Sequence, residues 1–474
     1  MPYNPNEQAI VSRRWRVATA DCTPDFFNKA DKSMGILVMI GQLILSLSIL
    51  IVLHEMGHFV PAKLFGTRVE KFYLFFDPWF ELFKVKRGET EYGIGWLPLG
   101  GYVKIAGMID ESMDLEQMKQ PPQPWEFRSK PAWQRLIIML GGVTVNFILG
   151  FLIYAMVLAV WGEEYLPNEN AIYGIHTDSL GMELGLQDGD HIVSVGGKPF
   201  DKFFDRALVR EIIINNADNI RVRRDGQEKD IPVSESAIGM LTSKENKDRL
   251  IFVPRFPFVV GEVKEGMPAE KAGMKVDDQI VEINGKPSPF FHQFKEVAEK
   301  NAGKTIKLGY LRGSDTLRTA ITLTEDGFIG VGTKSYLAVL GTERQDYSLG
   351  QALPAGVAKG WSLLTDQIKA FGQIFRGKLK AKDSLGGFGT IAKMYGNEWI
   401  WERFWRMTAI LSLILAFMNL LPIPALDGGH VMFLLWEVVT GRKPSDKVLE
   451  YSTIIGFIIV ISLVVYANFL DFFR

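Results

Sequence analysis

The sequence predicts a polytopic α-helical membrane protein of about four transmembrane helices, with a membrane-associated β-hairpin and two tandem α+β domains outside the bilayer. Three observations predict it. Apolar residues make up 47% of the 474, and they gather in a few long uncharged runs. A long middle segment between those runs has ordinary soluble composition. Within that segment one residue pattern occurs twice at a constant offset of 88 positions.

A helix needs about 20 residues to cross the hydrocarbon core of a bilayer. Residues 35–53 contain no charge, and their apolar character continues to position 60. Further runs cover residues 136–160, 407–421 and 453–470. Uncharged stretches as long as the first two are uncommon in soluble cores. The expected elements are a first transmembrane helix at 34–62, a cytoplasmic loop with the hairpin at 63–133 and a second helix at 134–162. The repeated domains follow at 170–254 and 255–335, then an amphipathic interfacial segment at 343–404, a third transmembrane segment at 405–440 and a fourth at 451–474.

Lys and Arg near the span ends set the orientation, since cytoplasmic loops carry the excess. Lys63, Arg68, Lys71, Arg128 and Lys130 mark the first loop as cytoplasmic, and Arg442, Lys443 and Lys447 mark the last. The repeated domains then lie outside. Residues 1–33 conflict with this arrangement, because Arg13, Arg14, Arg16, Lys29 and Lys32 precede the first span on the outer side. They also lack the apolar stretch of a signal peptide. The expectation is that translation starts at Met34, which leaves residues 1–33 an artefact or a disordered tail.

A net charge of −1 gives no reason to expect nucleic acid as a partner. The single cysteine, Cys22, excludes an intrachain disulfide and any cysteine-based zinc site. A metal here must be held by nitrogen and oxygen. His54-Glu55-Met56-Gly57-His58 supplies such donors, because residues four apart share a helical face and both imidazoles reach one ion. Glu55 is placed to accept a proton from a water on that ion. Each ionisable group inside a span costs about 3 kcal/mol, so three within five residues call for a functional reason.

A catalytic zinc site takes three protein ligands and keeps a fourth position open. The third apolar run ends in Asn419-Leu420-Leu421-Pro422-Ile423-Pro424-Ala425-Leu426-Asp427-Gly428-Gly429-His430. Asp427 is the lone carboxylate between Arg406 and Glu437. Two prolines break the helix just ahead of it, and broken backbone at this depth is tolerated where it lines a cavity. His430 is the competing donor. Asp427 fits two histidines plus one carboxylate better, and the other reading of Asp427 is a helix cap at the membrane surface.

These two motifs together resemble the site-2 family of intramembrane zinc metalloproteases, and the wider layout from about Met34 onward is similar to its bacterial RseP-like branch. The resemblance implies that His54, His58 and Asp427 bind Zn2+ and that Glu55 activates the water. It implies a bacterial inner-membrane protein with its active site towards the cytoplasm. Its substrates would be transmembrane proteins in the lipid bilayer, such as an anti-sigma factor or a signal-peptide remnant, cut second in regulated intramembrane proteolysis. It also implies substrate-binding roles for Asn419, Pro422 and Pro424. Asn146, in Gly141-Gly142-Val143-Thr144-Val145-Asn146-Phe147, matches a similar family motif, with interhelical hydrogen bonding as the equal alternative.

Residues 95–105, with Gly100 and Gly101 followed by β-branched residues, read as a hairpin too short to span. They resemble the family's re-entrant β-loop, whose edge would take up an unwound substrate strand. The repeat aligns Gly185, Asp190, Ile192, Val195, Gly197-Lys198-Pro199 and Phe203 with Gly273, Asp278, Ile280, Ile283, Gly285-Lys286-Pro287 and Phe291. It resembles circularly permuted PDZ domains, which the RseP-like branch places on the periplasmic side as a substrate filter. His176, His191 and His292 within it are read as ordinary surface or packing residues. Two rival functions are a metal-ion transporter, which would need no general base, and a silent PDZ scaffold, which would bind no metal. Oligomeric state is not legible in the sequence.

Overall fold

The computed structural model describes residues 25–108, 120–246, 249–380, 382 and 385–472. The chain divides into two compact units, a helical one that contains the apolar runs and an α+β one that contains the repeat.

In the helical unit, four helices are long and apolar enough to cross a membrane: Ser33–Leu64, Ala132–Trp161, Trp401–Leu420 and Lys447–Phe472. The first is part of a 40-residue helix, Asp25–Leu64. The helix therefore runs through the expected boundary at Met34, and residues 1–24 of the expected extension lie outside the described residues. The second span packs against both the first and the third. Glycine permits the closest approach: a Cβ on Gly57 would fall 2.4 Å from the Gly141 carbonyl oxygen, and one on Gly141 would fall 1.9 Å from the Gly57 oxygen. Small residues at helix crossings are how membrane helices bring backbones into contact. Ser46 bonds Thr408 at 2.9 Å, and the Ser412 hydroxyl donates to the Asn146 carbonyl at 2.7 Å. Leu50, Phe404, Met407 and Ile410 fill the space between. The outer faces stay apolar and exposed, as at Leu37, Leu152, Ile455 and Val465, which suits lipid as the solvent.

The first loop carries β1 (Val69–Arg87) and β2 (Thr90–Ile105). Each is folded on itself, so residues 71–74 lie between 101–104 and 91–94, while 81–87 pair with 90–95. The segment expected as a hairpin over 95–105 lies within β2, which reverses direction between Ile94 and Leu97, while Gly100 and Gly101 sit in the strand that follows. The turn that joins β1 to β2 is at Gly88, whose φ is +61°. Gly100 and Gly101 lie inside β2 because of what faces them: a Cβ on Gly100 would meet the Phe76 ring at 2.6 Å, and one on Gly101 would meet Ile51 of the first span at 2.6 Å.

The α+β unit opens with β3 (Glu163–Tyr165) and β4 (Ile175–Thr177). β5 (His191–Val195), β6 (Lys198–Pro199), β7 (Asn219–Arg224) and β8 (Gln227–Pro232) form a sheet in the order β6-β5-β7-β8, and β4 pairs with β9 (Phe252–Pro254). The second copy comprises β10 (Phe258–Val263), β11 (Gln279–Ile283), β12 (Lys286–Pro287), β13 (Thr305–Arg312), β14 (Asp315–Thr322) and β15 (Val331–Thr333). Its order is β14-β13-β11-β10-β15, with β12 on β11. Each copy has its own apolar core, around Ile192, Leu208 and Ile220 in the first and Phe258, Ile280 and Ile306 in the second. The duplication extends to an ion pair. Arg224 grips buried Asp190 at 2.7 Å through two nitrogens and also donates to the Gly185 carbonyl. Arg312 does the same to Asp278 and Gly273, 88 residues on.

The segment expected to be wholly interfacial begins with a strand, β16 (Glu343–Gln345), which pairs with β3. The helix Leu349–Phe375 follows. A Cβ on its Gly356 would fall 2.5 Å from the Ala155 backbone, and one on its Gly360 would fall 2.6 Å from the Phe151 ring. Successive turns of this helix thus meet successive turns of the second span.

Candidate metal centre

His54, Glu55 and His58 sit in the last three turns of the first-span helix, and the i, i+4 spacing turns both imidazoles to one face. Their rings meet edge to face at 4.8 Å between centroids. The third span ends at Leu420, where Pro422 cannot continue the helix. Residues 421–426 form a tight loop, and a new helix, Asp427–Thr440, starts at the aspartate. Gly428 and Gly429 let that first turn sit on the loop, since Cβ atoms there would lie 2.3 Å from the Leu421 carbonyl and 2.6 Å from the Ile423 carbonyl. The fourth span supports the loop from behind, where a Cβ on Gly456 would overlap the Pro424 carbonyl.

The result is a triangle of donor atoms. His54 Nε2 and His58 Nε2 are 3.2 Å apart, and Asp427 Oδ2 lies 3.2 Å from the first and 3.4 Å from the second. Ligands bonded tetrahedrally to zinc at about 2.0–2.2 Å stand about 3.3–3.6 Å from one another. Three protein donors at that spacing fit one zinc ion and leave the fourth corner for water or substrate. The three side chains are 12%, 9% and 16% exposed. Asp427 Oδ2 is buried without a hydrogen bond, which is costly unless something else completes it. It is not acting as a helix cap, since the N-cap position is Leu426 and makes no side-chain bond. His430 stands outside the donor cluster.

The second ring nitrogens are held as well. His58 Nδ1 lies 2.8 Å from the Ile138 carbonyl of the second span, so it carries the proton and leaves Nε2 free to bind metal. Asn146 of the same span lies 3.2 Å from His54 Nδ1. Its Oδ1 is buried without a partner while its nitrogen faces the ring. Turning the amide over places the oxygen on His54 Nδ1–H and satisfies both groups, and the two orientations of an amide are otherwise equivalent. Asn419 reaches within 3.4 Å of His54 Nε2 from the third span. Pro422 and Pro424 shape the loop before Asp427, and Gly101 of β2 sits against Ile51, one helical turn before His54. The Val103 backbone of β2 lies beside the Glu55 carboxylate.

Two supports were not singled out from sequence. Gly142 was noted only as part of a motif, yet a Cβ there would lie 2.3 Å from His58 Nε2 and 2.7 Å from the His54 ring. Arg135 of the second span bonds Glu437 at 2.5 Å, which ties the Asp427 helix to that span. A glycine pair opposite a glycine-containing metal motif is a detectable signal for the first. No local pattern announces the second, because its partners are 302 residues apart.

Comparison with known proteins places this geometry in context. The model of peptidase family M50 matches residues 42–463. The chain is 30% identical over 482 aligned residues to a regulator of sigma-E protease, RseP, from Salmonella typhimurium, covering 93% of this chain and 100% of the other. The Escherichia coli protein of the same name is 29% identical, with 92% and 98% covered. A protein named as a zinc metalloprotease from Neisseria meningitidis is 28% identical, with 91% and 98% covered.

Proposed function

Since the chain belongs to peptidase family M50 and is a zinc metalloprotease, we propose that it cuts transmembrane segments of other membrane proteins, at a centre held by His54, His58 and Asp427. The observation that carries this reading is the donor triangle of 3.2–3.4 Å edges, built from one helix long and apolar enough to span and the helix that follows the third span.

Zinc at this centre would supply a Lewis acid for the scissile carbonyl and lower the pKa of a water. Glu55, adjacent to His54 in the helix, takes the proton from that water and returns it to the leaving amine nitrogen. The Val103 backbone of β2 borders its carboxylate. Asn146 and the Ile138 carbonyl hold the two imidazoles in the tautomer that presents Nε2. Asn419 lies beside the donors, where its amide would orient the substrate backbone. A helical peptide bond is already hydrogen-bonded, so the substrate must be drawn out as a strand before attack. The segment 101–105 is an edge of its sheet among the described residues and borders the first span, which suits strand addition with Gly100 and Gly101 clearing the path. The exposed aromatics of β1, Trp79 at 91% and Phe80 at 55%, suit a hairpin that dips into lipid.

The location that follows is a bacterial inner membrane, with the centre towards the cytoplasm and the duplicated domains, read as PDZ-like, in the periplasm as a filter. The substrates would be remnants whose outer part has already been removed, of the anti-sigma-factor or signal-peptide type. The test is to incubate full-length enzyme in membranes with a tagged single-span protein and map the cut by mass spectrometry. A cut inside the apolar span that a zinc chelator abolishes is expected. Cleavage confined to the flanking soluble segments would contradict the reading.

A further inference from the structure

The α+β unit holds a second group of two histidines and an aspartate. His176 is in β4 and Asp188 follows in the first repeat, whereas His292 is in the first turn of the helix Phe291–Lys300 of the second. The imidazoles are stacked face to face, 4.1 Å between centroids and 14° from parallel. Asp188 Oδ2 lies 2.9 Å from His176 Nδ1 and 4.0 Å from His292 Nε2. One donor atom from each of the three residues lies within 4.8 Å of the others. Asp188 is not free to swing, because its Oδ1 accepts from the Thr177 backbone N–H at 2.8 Å and the Thr177 hydroxyl at 3.1 Å. His292 also stacks on Phe290, whose other neighbours include Tyr173 of the first repeat.

The duplication provides a control. The 88-residue offset carries His176 onto Lys264 and Asp188 onto Val276, and it carries His292 back onto Phe204. None of the three donors belongs to the shared pattern, although Asp190, Arg224, Asp278 and Arg312 do. The fold is therefore built in each copy without them. Among the described residues they come together where donors of the first copy meet a donor of the second.

We propose that His176, Asp188 and His292 form a second divalent-metal site of the zinc class, which fastens the two repeats to each other. Two imidazoles and a carboxylate are a donor set that zinc accepts. The carboxylate stands 2.9 Å from one imidazole and 4.0 Å from the other, against about 3.3–3.6 Å for a tetrahedral ion, and the imidazoles must turn out of their parallel stack to bring both lone pairs onto it. Arg255 works against the ion, since its guanidinium lies over the Phe290 ring at 4.1 Å and faces the same carboxylate. The site is accordingly expected to be weaker than the one within the spans. Asp188, 41% exposed, leaves it open to solvent and to exchange.

The test uses full-length protein in detergent, stripped of metal and titrated with Co2+, with bound metal counted and tetrahedral absorption recorded. The wild type should bind two equivalents, the second more weakly than the first. His292→Phe copies the residue of the first repeat and keeps the ring stack, so the fold should persist by circular dichroism. It should lose the weaker equivalent alone, and Asp188→Asn should weaken the same one at least about tenfold. His58→Ala should remove the other equivalent, which separates failure of this site from failure of the one in the spans. One equivalent in the wild type that His58→Ala abolishes, or two equivalents retained by His292→Phe, would overturn the proposal.

Discussion

The chain contains two clusters of the same composition, two histidines and one aspartate, and they differ in how their donors are held. Within the spans, both histidines come from one helix, every second ring nitrogen has a fixed partner and the three donor separations agree to 0.2 Å. Glycines at 57, 141, 142, 428 and 429 let the surrounding backbone close in around them. In the α+β unit the donors come from the two repeats, the aspartate stands 2.9 Å from one histidine and 4.0 Å from the other, and it is substantially exposed. Water explains the difference. An unpartnered polar group costs far more in a membrane interior than at a wet surface, so a donor set there must be assembled with the fold. A site at an aqueous domain boundary can stay loose until an ion arrives.

The contrast can be broken most severely at Gly142. In Gly142→Ala the new methyl would collide with His58 Nε2, and a displacement of an ångström at a reacting centre costs about 100-fold in rate. Cleavage should fall by about that factor or more, with zinc content falling too; wild-type levels of both would show that the glycine cradle is irrelevant. Asn146→Ala should act more mildly, weakening zinc affinity about 10- to 100-fold through loss of the partner on His54. Competition against a chelator of known affinity measures this, and unchanged affinity would leave Asn146 as interhelical packing only.

A smaller effect, on stability, belongs to the α+β unit. Arg312→Met leaves the buried Asp278 carboxylate without its bidentate partner and should lower the stability of that repeat by about 2–3 kcal/mol. Burial pushes the Asp278 carboxyl up, but Arg312 and the Lys275 N–H outweigh it and hold the group below its usual range. Its contribution is therefore present above the unfolded value of about 3.9 and fades as the pH falls below it. Thermal unfolding of wild type and variant should converge in acid. A gap that stays constant down to acid pH would mean the pair contributes by packing alone.

The legible part of this molecule was whatever is local in sequence. The i, i+4 histidines with Glu55 between them, the prolines before Asp427 and the long uncharged runs each carry their meaning within a dozen residues. The duplication was legible because it repeats, and its ion pairs follow the same offset. What was not legible depends on distant partners. Gly100 and Gly101 suggested a turn, yet they serve Phe76 and Ile51 across a packed surface. Leu349–Phe375 has the amphipathic pattern of an interfacial helix, and glycines four apart fit it to the second span. His176 and His292 looked like unremarkable surface residues because 116 positions separate them and only the packing of two domains stacks their rings.

The central claim is that Glu55 moves the proton at a zinc centre within the spans. The direct measurement is cleavage of a single-span substrate in membranes by wild type and Glu55→Gln, with zinc counted in both. The account expects equal zinc and a rate lower by about 100- to 10,000-fold in the variant, the range a general base supplies. Equal cleavage at equal zinc would contradict it, because the proton would then have another acceptor.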